Sequence, residues 1–275
     1  MKIKYLGTAA AEGLPAVFCQ CDNCKKARKN KGRDIRTRSQ SIIDDTLLID
    51  FNADTYAHAL KYDIELSKIE HCIITHSHSD HLYPSELNMR GSGFARFKGE
   101  RKTFNIYGSE AVVEKCKSIC TLGEDNIKFH TLEAFKPFKA GDYTVTPLPA
   151  RHGEDSGPLI YIIEKDGKTM LYGNDTGLFF EEVYDYLKEK KIYFDFVTLD
   201  CCETLGFSDW PYHMTVEDCK TTRERLKAGK HADENTVFYL NHFSHNASPV
   251  IYDELIYALD GSDFKVSYDG LEVEF

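Results

Sequence analysis

Six consecutive residues carry four side chains that bind metals: His76-Ser77-His78-Ser79-Asp80-His81. Imidazole nitrogens and carboxylate oxygens suit zinc, manganese or iron, and the residues alone do not choose among them. The run follows the apolar stretch His71-Cys72-Ile73-Ile74 and precedes Pro84. Residues two apart in an extended chain point the same way, so His76 and His78 can grip one ion from a strand end. The chain then turns, and Asp80 and His81 can face a second. Three further candidates stand where other strand-like runs end: His152 in Ala150-Arg151-His152-Gly153, Asp175 in Gly173-Asn174-Asp175-Thr176-Gly177, and His242 in Asn241-His242-Phe243-Ser244. Each alone would be an ordinary loop residue; together they supply the donors that the first run lacks. Asp200 is the rival to Asp175, and the glycine-flanked setting favours Asp175. Two divalent ions about 3.5–4 Å apart can activate water as hydroxide and polarise a scissile bond.

A second cluster is the C-x-C-x-x-C run Cys19-Gln20-Cys21-Asp22-Asn23-Cys24. The chain has nine cysteines, an odd number, and Cys201 and Cys202 are adjacent. That pattern does not resemble a secreted disulfide framework. The three spaced thiols read as a metal knuckle in need of a fourth ligand. The best candidate is His245, three residues after His242. A closed site of this kind would staple an early loop to the loop carrying His242.

Elements must position these groups. Strand-like runs fall at 2–6, 41–50, 71–75, 103–107, 143–148, 160–164, 168–172, 194–200, 236–240, 263–268 and 271–275. Helical patterns fall at 22–30, 54–61, 84–90, 109–119, 178–190, 215–226 and 248–259, with Thr215 and Asp218 marking one helix start. Strands outnumber helices, which fits two mixed sheets covered by outer helices. With no repeat and no linker-like stretch, residues 1–275 read as a single domain.

The H-x-H-x-D-H run, followed by a lone His, a lone Asp and a late His, resembles the metallo-β-lactamase superfamily. The likeness extends from Leu6-Gly7-Thr8 to His245. It implies an α/β fold of the α+β kind, a four-layer αββα sandwich. It also implies His76, His78 and His152 on one divalent ion, Asp80, His81 and His242 on the other, and Asp175 bridging them. Asp80 then counts among the catalytic residues as well as the ligands. The cysteine knuckle, the late H-x-x-H and the Leu6-to-Pro15 start are similar to the phosphodiesterase branch, typified by the carbon–phosphorus lyase accessory phosphodiesterase. That resemblance implies one structural zinc on Cys19, Cys21, Cys24 and His245. The branch also carries a histidine between the bridging Asp and the last metal His. His213, in Trp210-Pro211-Tyr212-His213-Met214-Thr215, occupies that interval and is expected to be the general acid. An ordinary histidine pKa near 6.5 permits the role.

The expected activity is a metal-dependent phosphodiesterase on small or cyclic phosphate esters. The alternatives are an RNA or DNA phosphodiesterase, and an oxygenase or carrier of the pyrroloquinoline quinone type, whose members share a similar knuckle. A formal net charge of -10 argues against a surface that wraps long nucleic acid. The basic run from Lys25 to Arg38 reads as a solvated face, with Arg38 and Ser39 candidates to lie near a phosphate. The glycine-rich, basic stretch 90–102 reads either as a lid that steers substrate or as a plain surface loop. No run of about 18 apolar residues occurs, and the start Met1-Lys2-Ile3-Lys4 lacks a signal-peptide core. A cytoplasmic protein without membrane contact is expected, and the resemblance suggests a homodimer.

Overall fold

The computed structural model describes residues 1–206 and 210–275. Among them the chain forms two seven-stranded sheets. The first is built from β1 (Lys2–Gly7), β2 (Gln40–Ile43), β3 (Leu47–Ile49), β4 (His71–Ile73), β5 (Phe104–Gly108), β6 (Ile127–Thr131) and β14 (Glu272–Glu274), with β14 beside β1 and the others in sequence order. The second contains β7 (Phe138–Ala140), β8 (Tyr143–Pro149), β9 (Leu159–Lys165), β10 (Lys168–Gly173), β11 (Phe196–Asp200), β12 (Val237–Asn241) and β13 (Lys265–Val266), likewise in order. Each sheet has an antiparallel half and a parallel half. β3 to β6 run parallel in the first, and β10 to β13 in the second.

Alternation explains the layers. In β9, Leu159, Tyr161 and Ile163 enter the core between the sheets, whereas Ile160 and Ile162 face outward into a second core. That outer core receives Cys24 and Ala27 from α1 (Asp22–Asn30), Val183 and Leu187 from α4 (Glu181–Lys190), Val216 and Leu226 from α5 (Val216–Ala228), and Leu255 from α6 (Tyr252–Ala258). On the other side, Cys72, Ile74, Phe104 and Ile106 pack against Val112 and Cys116 of α3 (Glu110–Ile119). A further helix, α2 (Thr55–Lys61), lies after β3. The arrangement is the expected helix–sheet–sheet–helix sandwich. No described helix is long and apolar enough to cross a membrane.

Several elements differ from the sequence reading. The stretch 41–50 is a hairpin rather than one strand. It turns at Asp44 and Asp45, both at positive φ (47° and 58°), which pairs Ile43 with Leu47. The turn is hidden because its residues are acidic rather than Asn-Gly or Asp-Gly. β6 and β7 were not anticipated, and residues 84–90 form a 3-10 segment, not an α-helix. The helix start at Thr215 is as expected. Its hydroxyl accepts from the Asp218 amide, and the Asp218 carboxylate accepts from the Thr215 amide.

Candidate metal centre

Five strands end at the same edge of the sandwich, and each delivers a side chain there. β4 leads to the His76–His81 run, β8 to His152, β10 to Asp175, β11 to Asp200 and β12 to His242. The parallel halves of both sheets aim their C-terminal ends at this cleft. Asp50, Asp175 and His242 have φ of 67°, 56° and 64°. Left-handed backbone costs a residue other than glycine on the order of 1–3 kcal/mol and recurs at functional sites. It turns the chain sharply at each strand end. Gly177 closes the turn after Asp175. A Cβ there would lie 1.8 Å from the Pro211 carbonyl oxygen, so only glycine lets the segment carrying His213 come so near.

The donors fall into overlapping groups. His78 Nδ1 lies 3.0 Å from His76 Nε2 and 3.1 Å from His152 Nε2. His81 Nε2 lies 3.3 Å from Asp80 Oδ2 and 3.0 Å from Asp175 Oδ2. Asp175 Oδ2 is also 3.3 Å from His76 and 3.5 Å from His242, so its carboxylate stands between the two groups. Donors that share one ion at about 2.0–2.2 Å must sit about 3–3.6 Å from one another. Imidazole pairs and imidazole–carboxylate pairs at this spacing fit an ion at each centre. His81 Nε2, Asp175 Oδ1 and His242 Nε2 are buried without a hydrogen-bond partner among the described residues, as donors reserved for ions would be.

Electrostatics agree. Burial, then the nearby His81, hold His76 well below its usual pKa, which leaves it neutral and able to ligate. Burial also disfavours charge on His81, yet Asp50 and Asp80 outweigh it and lift His81 well above normal. Burial opposes ionisation of Asp175, but His242 and His76 hold its carboxyl well below the usual range. A cleft that keeps carboxylates ionised and stabilises cations calls for positive charge. An entering ion would displace the His81 proton.

Two acids outside the predicted set hold the donors in place. Asp50 Oδ2 accepts from His81 Nδ1 at 2.7 Å, and its Oδ1 accepts from the amide and hydroxyl of Thr75. Asp200 Oδ2 lies 3.1 Å from His213 Nδ1 and 3.2 Å from His242 Nδ1, and its Oδ1 accepts from the Cys202 and Met214 amides. Asp200 therefore stands behind the histidines, while Asp175 stands between the ion positions. Such carboxylates fix the tautomer and aim of metal-binding imidazoles. Against burial, Asp200 and Asp175 lift His213 to about 9, and Asp200 itself falls to about 2. Cys202 also lines the cleft, its sulfur within 4.8 Å of donor atoms of His213 and His242; its strand-end position was the available signal.

Cys19, Cys21, Cys24 and His245 form a separate group, with all donor atoms within 4.8 Å. Cys21 Sγ is 3.7 Å from His245 Nδ1. Zinc with bonds of about 2.3 Å to sulfur and 2.0–2.1 Å to nitrogen separates such atoms by about 3.6 Å in a tetrahedron. The donor set therefore fits zinc.

The remaining expectations are redrawn. Arg36 is not on a solvated face. It is 1% exposed, donates to Thr8 and to the Ser267 carbonyl, and lies over the Phe243 ring. Arg38 pairs with Asp54, and Ser39 is buried away from the metal cavity. The stretch 90–102 lines a different, apolar cavity through Arg90, Ala95 and Phe97, and contributes nothing to the metal cleft. Arg90 is held there by the Asn126 and Lys102 carbonyls.

Residues 46–242 match the family model for the beta-lactamase superfamily domain. Ribonuclease Z from Listeria welshimeri is 26% identical over 180 residues, which is 62% of this chain and 52% of that protein. The chain thus spans about half the length of such curated relatives. A diphosphatase from the PhnP family superimposes with a TM-score of 0.76 at 21% identity, covering 100% of this chain and 97% of the other. Zinc-bound PqqB from Methylobacterium extorquens gives 0.75 at 16% identity, covering 100% of both. These two likenesses are of fold. The matched span runs from β3 to His242 and takes in every residue of the proposed ion pair, so the chain belongs to the metallo-β-lactamase superfamily.

Proposed function

We propose that the chain is a metal-dependent hydrolase, a phosphodiesterase for small or cyclic phosphate esters. The observation that carries this is the convergence of His76, His78, His152, Asp80, His81, Asp175 and His242 on one cavity edge with His213 beside them. Bound there, two divalent ions supply Lewis acidity and an activated water. The protein's own groups do the rest. Asp175 and Asp80 balance charge, and Asp50 and Asp200 keep the imidazoles aimed. His213, lifted to about 9, enters the reaction protonated and gives its proton to the leaving oxygen. The structural zinc is assigned to Cys19, Cys21, Cys24 and His245.

Cavity chemistry supports a small substrate. The cavity measures about 430 Å³, and among the described residues its charged lining beyond the donors and His213 is Glu12 and Glu203. No lysine or arginine occurs from Cys201 to Tyr212. Polynucleotide binding draws its affinity from cations placed on phosphates. An RNA phosphodiester, suggested by the ribonuclease Z likeness, is the second reading. Pairing of two copies belongs to the same proposal, and light scattering tests it; a monomer mass at every concentration refutes it.

The experiment quantifies metals in purified protein and then compares bis(p-nitrophenyl) phosphate, a cyclic nucleotide, an oligoribonucleotide and a lactone. Hydrolysis of the first two is expected. Turnover of the lactone without any phosphodiester cleavage overturns the reading, and preference for the oligoribonucleotide moves it to the second.

A further inference from the structure

We infer that Glu12 is a positioning residue that ties the zinc knuckle to the catalytic ion pair, so that filling one site strengthens the other. The inference rests on the two-site reading above. Glu12 stands on the divide between two cavities. One is the metal cavity; the other, also about 430 Å³, is lined by Glu12, Cys19, Arg38 and His245 among others. On the knuckle side, Glu12 Oε1 is 3.9 Å from His245 Nε2, while His245 Nδ1 faces Cys21. An imidazole that gives Nδ1 to zinc must carry its proton on Nε2, the nitrogen 3.9 Å from Glu12 Oε1. Histidines bound to zinc commonly donate this second N–H to a carboxylate, which fixes the ring and strengthens the ligand. Glu12 Oε2 is buried and has no partner among the described residues, so one of its oxygens remains to take that proton.

On the catalytic side, Glu12 Oε1 accepts from Asn246 Nδ2 at 3.2 Å and from the Ser244 hydroxyl at 3.4 Å. Ser244 is two residues past His242, and its amide donates to the Cys202 carbonyl in the cleft wall. The segments around Glu12 and His242 are also clamped by main-chain bonds: Ala10 N donates to Phe243 O, and Phe243 N to Thr8 O. A zinc that draws His245 toward the cysteines therefore draws Glu12, and Glu12 sets the loop that presents His242. A coupling free energy between two sites is reciprocal, so the catalytic ion must likewise favour zinc in the knuckle.

The test reads metal binding and needs no turnover. Mn(II) prefers nitrogen and oxygen donors. It titrates the catalytic pair, followed by loss of its free EPR signal, while zinc stays with the thiolates. In the otherwise native protein, stripping the knuckle by Cys21→Ser is expected to weaken Mn(II) binding about tenfold. In a Glu12→Gln background the same change is expected to do nothing more. Glu12→Gln alone is expected to lower zinc affinity of the knuckle 10–100-fold against a chromogenic chelator. Should Cys21→Ser unfold the loop, Ser244→Ala leaves every donor in place and is expected to reduce the same coupling. Equal Mn(II) losses in both backgrounds, or unchanged zinc affinity in Glu12→Gln, overturn the inference. If wild-type protein takes up neither Mn(II), Fe(II) nor zinc beyond the knuckle ion, the two-site reading falls first, and the two failures are thereby distinct.

Discussion

Asp50 and Asp200 each hold a histidine of the proposed ion pair. Asp50→Ala removes the carboxylate that orients His81 and is expected to weaken binding of its ion 10–100-fold, measured by metal titration. His213 makes a different demand. Its proton is held up to about 9 by Asp200 and Asp175 against burial, and a cation bound nearby would draw that value down. A group with a raised pKa keeps its proton below that value and loses it above. Turnover should therefore hold through neutral pH and decline at alkaline pH, no later than about 9. His213→Ala should cost on the order of 10²–10⁴-fold in kcat and abolish this alkaline limb, with both ions retained; an unchanged pH–rate profile would refute the assignment. The contiguous His76–His81 run was legible because its spacing alone implies chemistry. Asp50 was not, since its partner is 31 residues away and only the fold brings the two together. Asp200 was legible as a carboxylate at a strand end and the glycine-flanked setting favoured Asp175 over it, but nothing in the sequence shows that Asp200 would stand behind His213 and His242.

Strand ends and tight turns translate sequence into this geometry. Gly177→Ala would drive a methyl into the Pro211 carbonyl and push His213 off its station. Its expected signature is a drop in kcat with metal content nearly intact, and a wild-type rate would show that the close approach is dispensable. Ile162, fully buried between β9 and its outer helices, serves as the packing control. Ile162→Ala should destabilise by about 2–5 kcal/mol in urea titration. Short β-rich runs made β9 and β10 readable in the sequence. The hairpin at Asp44–Asp45 was not, because its turn carries no glycine. β6 and β7 were missed because half-exposed edge strands lack a sustained apolar pattern.

At the scale of the molecule, charge limits what the cleft can hold. A net charge of -10 with Glu12 and Glu203 at the cavity predicts weak binding of long polyanions. Turnover of a small ester should change little between 50 and 200 mM salt, and a steep fall would point to a polynucleotide instead. A final consequence follows from His242 and His245 sharing one late loop. Cys21 precedes His245 by 224 residues. At about 5–20 residues per second of synthesis, roughly 11–45 s pass between emergence of the thiols and arrival of the imidazole that completes their set. Throughout that interval the nascent chain displays three cysteines with no fourth partner, open to oxidants and to stray soft metals. Ribosome-bound chains arrested before that loop should accordingly react with a thiol probe at Cys19 and Cys21, and zinc should protect those positions only once the loop has emerged.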